Sequence, residues 1–252
     1  AGLGIPPSHV INRLREARVF CFDVDSTVIT TEGIDELAEM GGVKEQVEKL
    51  TSEAMGGKLP FHESLRQRLG IMRPHHDQIN EFLAAKPFVL SDRISELVGL
   101  LHSRGAAVYL LSGGFGQMIA PVASALDIGA DNIYANELRF HADGSFRDFD
   151  PQAWTSTAGG KKRVMEHLRA LHSSGADAVI IVMIGDGATD LEARDVNDGK
   201  GGADLMVGYG GNVVREKVER GADWFVRSFA DIINVLQPQA PNPARHGNDE
   251  DL

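Results

Sequence analysis

"VFCFDVDSTVIT", residues 19–30, decides how the rest of the chain is read. Four apolar residues, Val19 to Phe22, run straight into Asp23 and Asp25, with Ser26 and Thr27 just behind. An apolar run without alternation suits a strand buried on both faces of a parallel sheet. Two carboxylates at the end of such a strand lose solvation and repel each other, so something must offset their charge.

Working outward, residues 107–111 and 178–184 are further apolar runs without alternation, and 204–207 and 223–226 are weaker strand candidates. Helical spacing lies between them. It is carried by Ile94, Leu97, Val98 and Leu101, by Val164, His167, Leu168 and Leu171, and by residues 228–236. Alternating strands and helices imply an α/β fold with a doubly wound, parallel-sheet (Rossmann-like) core.

Residues 33–86 break this rhythm. They hold no good strand, and Ile34, Leu37 and Ala38, then Phe61, Leu65 and Leu69, then Ile79, Phe82 and Leu83 read as amphipathic helices. The expected organisation is therefore a core of 10–32 and 87–236, a small helical cap of 33–86 inserted after the first strand, and flexible termini at 1–9 and 237–252. Residues 133–149 read as a hairpin turning at Asp143 and Gly144.

With 252 residues, 42% of them hydrophobic, the chain can bury one sizeable core plus an insertion. A formal net charge of −11 disfavours nucleic acid as a partner. The one cysteine, Cys21, allows no intrachain disulfide and sits within the first strand as a core residue. No apolar run approaches the roughly 18 residues of a membrane span, so no membrane partner is expected. No basic segment with an apolar stretch opens the chain. The expected location is the cytoplasm, with an organelle stroma as the alternative.

Each strong strand ends in a polar cluster: Asp23 to Thr27; Ser112, Gly113 and Gly114; and Gly185-Asp186-Gly187-Ala188-Thr189-Asp190. In parallel α/β sheets ligands bind beyond the strands' carboxyl ends, so the three clusters are expected to share one crevice. Asp23, Asp25, Asp186 and Asp190 would crowd it with negative charge. A hard divalent cation held by oxygens offsets this, and Mg²⁺ is the usual choice with phosphates. Ser112, Gly113 and Gly114 offer a hydroxyl and backbone N–H groups to phosphoryl oxygens. Lys161, at the start of a helical pattern, offers a point charge for the same anion.

Other motifs fail on spacing. A calcium loop starting at Asp23 would carry Thr27, Val28 and Ile34 where an acid or amide, Gly and Glu are needed. "TSTAGGKK" lacks the first glycine of a P-loop, and "GYGGNV" lacks the third glycine of a dinucleotide fingerprint. No HExxH is present.

D-x-D-S-T-V, S-G-G, G-G-K and G-D-G-A-T-D, in this order, resemble the haloacid dehalogenase superfamily. "CFDVDSTVITTEGIDELA", "AMGGKLPFHESLRQRL" and "MIGDGATDLEA" are similar to its phosphoserine-hydrolysing branch. The resemblance spans roughly residues 10–236. Residues 195–202 and the tail after Gln237 are extra.

The resemblance implies Mg²⁺-dependent hydrolysis of phosphoserine through an aspartyl phosphate, the last step of serine biosynthesis. Asp23 would be the nucleophile, and Asp25 the general acid and then the general base. Mg²⁺ would lie on Asp23, the backbone carbonyl of Asp25, and Asp186. Asp190 would orient either the metal waters or Lys161. Ser112, Gly113, Gly114 and Lys161 would hold the phosphoryl group, with Thr189 touching substrate or shaping its loop. Glu32 would meet the ammonium and Arg68 the carboxylate. Met55, Gly56 and Phe61 would line a lid, and Asn212 and Arg215 would be further substrate-side positions. A homodimer is compatible with this reading. Phosphohomoserine or phosphoglycolate are the alternative substrates. A receiver-type signalling domain would be about half as long and lack the second acid, and a non-catalytic phosphate-binding protein would not need every motif residue.

Overall fold

The computed structural model describes residues 6–55, 61–85, 88–173, 178–194 and 201–237. Strand β1 (Val19–Phe22) is buried along its whole length, and its neighbours explain why. It lies between β2 (Ala107–Phe115) and β6 (Ile181–Gly185), parallel to both. With β3 (Ile133–Asn136), β7 (Leu205–Tyr209) and β8 (Trp224–Val226) they form a six-stranded sheet in the order β3-β2-β1-β6-β7-β8. Every adjacent pair is parallel.

Successive side chains leave a strand on opposite faces, so each strand feeds two cores. Phe20, Phe22, Val108, Leu110, Val182 and Ile184 meet α1 (Ser8–Glu16), α6 (Ile94–Ser103), α7 (Gly116–Ala125) and α11 (Phe229–Leu236). Val19, Cys21, Tyr109, Leu111, Ile181 and Met183 meet α8 (Gly160–His172) and, through Val218, α10 (Glu216–Gly221). The expected doubly wound core is thus present.

Four helices follow β1: α2 (Gly33–Met40), α3 (Lys44–Met55), α4 (Phe61–Met72) and α5 (His76–Ala85). Their apolar faces make a third cluster of Leu37, Ala38, Val47, Leu65, Leu69, Met72 and Ile79. It includes Phe115 from the end of β2, and Leu138 and Phe149 from the antiparallel pair β4 (Leu138–Phe140) and β5 (Phe146–Phe149).

Residues 133–149 are therefore not one hairpin. Only 138–149 form it, with Gly144 at φ +83° in the turn. Residues 133–136 turn back as a sixth parallel strand, with Ile133 opposite Leu110. An edge strand this short carries too little pattern to be separated from the hairpin beside it.

Other boundaries move for local reasons. The S-G-G cluster is the end of β2 rather than a loop beyond it. Strand β6 starts at Ile181, where the Asp204 carboxylate accepts the Ile181 N–H at 2.8 Å. Helix α1 takes in Ser8 and His9, and α7 was not foreseen. Residues 195–200 and 238–252, which hold most of the extra sequence, lie outside the described residues.

Phe229 locks α11 onto the sheet. It is fully buried, stacks on Tyr209 at 4.2 Å between ring centroids and meets Phe22 edge-on at 6.4 Å. Phe229→Ala is expected to lower unfolding free energy by about 3–5 kcal/mol in a denaturant titration. A loss below about 1 kcal/mol would show that this face is not close-packed.

Candidate active site

The sheet order reverses between β1 and β6, which opens the crevice where ligands bind in such folds. Asp23 follows β1 directly, and its N–H bonds Ile184 C=O at 2.9 Å, extending the parallel ladder by one rung. The chain then makes one wide turn, closed by Ile29 N–H to Val24 C=O at 3.0 Å. Ser26 sits inside it at φ 54°, a left-handed conformation that costs free energy in a non-glycine residue.

Asn212 holds the turn. Its amide nitrogen donates to Ser26 C=O (3.0 Å), Ile29 C=O (3.3 Å) and Ser91 Oγ (2.7 Å), and Ser91 Oγ donates to Thr27 C=O at 2.6 Å. The donors of Asn212, expected on the substrate side, are thus spent on two backbone carbonyls and the Ser91 hydroxyl.

Lys161 stands at the centre of the crevice. Its Nζ donates to Asp23 Oδ1 and Asp190 Oδ1, both at 2.6 Å, and Lys161 is 7% exposed. Burial alone would lower its pKa, but the Asp190 and Asp23 carboxylates outweigh burial and hold the ammonium charged. Burial pushes Asp23 and Asp190 upward, and Lys161 pulls both back.

Glycines let the parts approach. A Cβ on Gly160 would fall 2.0 Å from Trp154 C=O, and one on Gly185 would fall 2.3 Å from Asp190 Oδ2. Asp190 Oδ2 also accepts Gly187 N–H at 2.9 Å, so this side chain is fixed at both oxygens. Asp190 Oδ1 thus contacts Lys161, one of the two partners expected of it.

Asp25 is held differently. Oδ1 accepts Gly33 N–H at 2.6 Å, and Oδ2 accepts Ser112 Oγ at 3.2 Å. Burial outweighs both bonds and raises its pKa. Ser112 Oγ in turn accepts Gly114 N–H at 2.8 Å. A Cβ on Gly114 would lie 2.9 Å from Asp25 Oδ2, so only glycine fits without displacement. Gly113 C=O is held by Asn136 Nδ2 at 2.8 Å, and Asn136 by Thr155 Oγ1 at 3.0 Å.

Asp186 accepts from Thr27 Oγ1 (3.1 Å) and Arg215 Nε (2.8 Å), and Arg215 also reaches Glu32 Oε1 at 3.2 Å. Glu32 takes a second bond from Ser26 Oγ at 2.7 Å. Burial, with the charge of Asp25, raises Glu32 to about 7. Arg68 is buried on α4 and bonds only Ser64 C=O, at 3.3 Å, among the described residues. Thr189 is the second residue of α9 (Ala188–Glu192). Met55 ends α3 and Phe61 begins α4, while Gly56 lies outside the described residues. Beside Asp25 and Gly114 opens a pocket walled by Phe82, Phe88, Phe115 and Met118.

Carboxylate oxygens of Asp23, Asp186 and Asp190 lie within 4.8 Å of one another. All are hard donors, and the crevice gathers four aspartates against Lys161 and Arg215. That donor set suits a hard divalent cation. Ser91, Asn136 and Thr155 carry no motif. Sequence reading missed them because they act through backbone and side-chain contacts made only in the folded chain.

Residues 20–194 match the family of haloacid dehalogenase-like hydrolases, and the chain belongs to that family. Among its relatives, the chloroplastic phosphoserine phosphatase of Arabidopsis thaliana is 45% identical over 232 residues, 92% of this chain and 76% of that one. The phosphoserine phosphatase of Bos taurus is 41% identical, covering 91% of this chain and 98% of its own. A solved structure of a phospho-aspartyl intermediate analogue of phosphoserine phosphatase superposes with a TM-score of 0.70 at 25% identity, over 88% of this chain and all of that one.

Gly185→Ala is expected to push Asp190 aside and untether Lys161. A shift of about 1 Å in a catalytic group costs on the order of 100-fold, and phosphatase kcat should fall by about that much. Unchanged kcat in a steady-state assay would mean that Asp190 does not position Lys161.

Proposed function

We propose that the chain hydrolyses O-phospho-L-serine to L-serine and phosphate, with Mg²⁺ as the metal. The observation that carries this reading is the pairing of Asp23, bonded to the buried Lys161 ammonium, with Asp25, whose carboxylate two residues on is held by Gly33 N–H and Ser112 Oγ. The phosphoserine phosphatases among its relatives supply the substrate class.

An Asp23 carboxylate oxygen attacks phosphorus, and the bond from phosphorus to the serine oxygen breaks. Asp25 gives its proton to that oxygen, then takes one from the water that cleaves the aspartyl phosphate. Lys161, Ser112 and the N–H group of Gly113 stabilise the phosphoryl oxygens, while Gly114 N–H holds Ser112 Oγ in place. Asp23, Asp186 and the carbonyl of Asp25 would hold Mg²⁺, which adds positive charge for the same oxygens. Thr189 borders this group at the start of α9. Glu32 takes the substrate ammonium, with Arg215 coupling it to Asp186, and Arg68 takes the carboxylate. Residues 33–86 act as the lid that excludes water. Asn212 serves by fixing the turn that carries Asp25. No helix among the described residues is long and apolar enough to cross a membrane, and the expected setting is the cytoplasm or an organelle stroma.

Phosphate release from L-phosphoserine should exceed that from phosphohomoserine and phosphoglycolate, stop on chelation and return with Mg²⁺. Asp23→Asn should abolish it. Asp25→Asn should slow single-turnover phosphoenzyme formation far more with phosphoserine than with p-nitrophenyl phosphate, whose leaving group needs no proton. Equal slowing on both would remove Asp25 as the acid.

Arg68→Ala should lower kcat/KM for phosphoserine roughly 30- to 1,000-fold, because it leaves a substrate carboxylate unpaired in a closed site. For p-nitrophenyl phosphate the change should stay under about 5-fold, and Arg68→Lys should recover only part of the loss. If both substrates suffer alike, Arg68 holds the lid together and does not read the amino acid.

A further inference from the structure

Helix α4 buries Leu65, Leu69 and Met72 in the lid's apolar cluster. Ser64 and Arg68, four residues apart, lie one turn from each other on one side of the same helix. Ser64 is 1% exposed and Arg68 8%. The Ser64 hydroxyl is buried and has no hydrogen-bond partner among the described residues. Buried hydroxyls are ordinarily hydrogen-bonded, so this donor is unusual. Arg68 has only its bond to Ser64 C=O and no ion-pair partner among the described residues. Glu32 and Asp35 act on it only from longer range.

The Ser64 hydroxyl and the Arg68 guanidinium, which spends only Nε on Ser64 C=O, thus lie within one helical turn with no carboxylate bonded to either among the described residues. No described carboxylate satisfies them. A small carboxylate would accept both forks of the guanidinium and still have a lone pair for a hydroxyl.

We infer that Ser64 is a specificity residue that donates its hydroxyl hydrogen bond to the substrate carboxylate beside Arg68. This rests on the phosphoserine reading and deepens it. It also explains why the free protein tolerates a buried donor without a partner: the partner arrives with the substrate. The hydroxyl therefore weakens the free fold and strengthens the complex, and a purely structural serine would do neither.

The test uses the full chain with Ser64→Ala and Ser64→Thr. L-phosphoserine and O-phosphoethanolamine, which lacks only the carboxylate, are measured as competitive inhibitors of p-nitrophenyl phosphate hydrolysis. Ser64→Ala should raise Ki for phosphoserine roughly 10-fold, the scale of one hydrogen bond to a charged group. Ki for phosphoethanolamine should stay within about 2-fold, and Tm should equal or exceed that of the parent. Ser64→Thr keeps the donor and should recover most of the phosphoserine affinity. An unchanged phosphoserine Ki, or an equal rise for both compounds with a lowered Tm, would overturn the assignment. If the parent protein binds the two compounds equally well, the phosphoserine reading fails first, and this proposal falls with it.

Discussion

The site depends on one buried ammonium. Lys161 lies between Asp23 and Asp190 with almost no access to water. Taking three charges out of water is costly, and only close geometry on both sides returns the loss. Removing the cation would leave two buried carboxylates uncompensated, a penalty of about 3–5 kcal/mol in comparable cases. The surroundings meet that demand by bringing backbone very close. Gly160 lets α8 start against Trp154, and Gly185 lets β6 run against the Asp190 carboxylate. The same cation that makes the cluster stable is the charge a phosphoryl group needs, so stability and reactivity share one residue.

A second constraint is the turn after β1. Asp23 and Asp25 have different tasks, and their environments differ accordingly. Asp23 is bonded to a cation, while Asp25 accepts from two neutral donors. The turn that separates them contains a left-handed serine. Its carbonyls are caught by Asn212, and its hydroxyl by Glu32. Arg215 then links Glu32 to Asp186, so residues from β1, β6 and the segment after β7 form one polar network. Strain held by several partners persists because no single bond has to carry it.

The lid helices have a core of their own, yet it is completed by Phe115, Leu138 and Phe149 from outside them. The hairpin also meets the corner between α4 and α5: His76 N–H bonds Gly144 C=O at 2.9 Å, and His75 Nε2 lies 2.9 Å from Asp143 C=O. The helix that carries Arg68 and Ser64 is therefore steadied from the sheet side as well as by its own packing.

The sequence by itself determined the strands at 19–22 and 107–111 and a strand within 178–184, the helical character of the segment after β1, and the residues Asp23, Asp25, Ser112, Lys161, Asp186 and Asp190. These are legible because burial on both faces forces unbroken apolar runs, and because phosphate chemistry demands a few residue types at fixed strand ends. Only the tertiary structure decided that residues 133–136 leave the hairpin for the sheet, since a four-residue edge strand has no pattern of its own. It alone placed Asn212 on the backbone of the catalytic turn, and linked Asn136 and Thr155 to Gly113. It also left the hydroxyl of Ser64, beside Arg68, with no partner among the described residues. Such roles depend on which groups meet across long stretches of chain, and a side chain's type does not say whom it will meet.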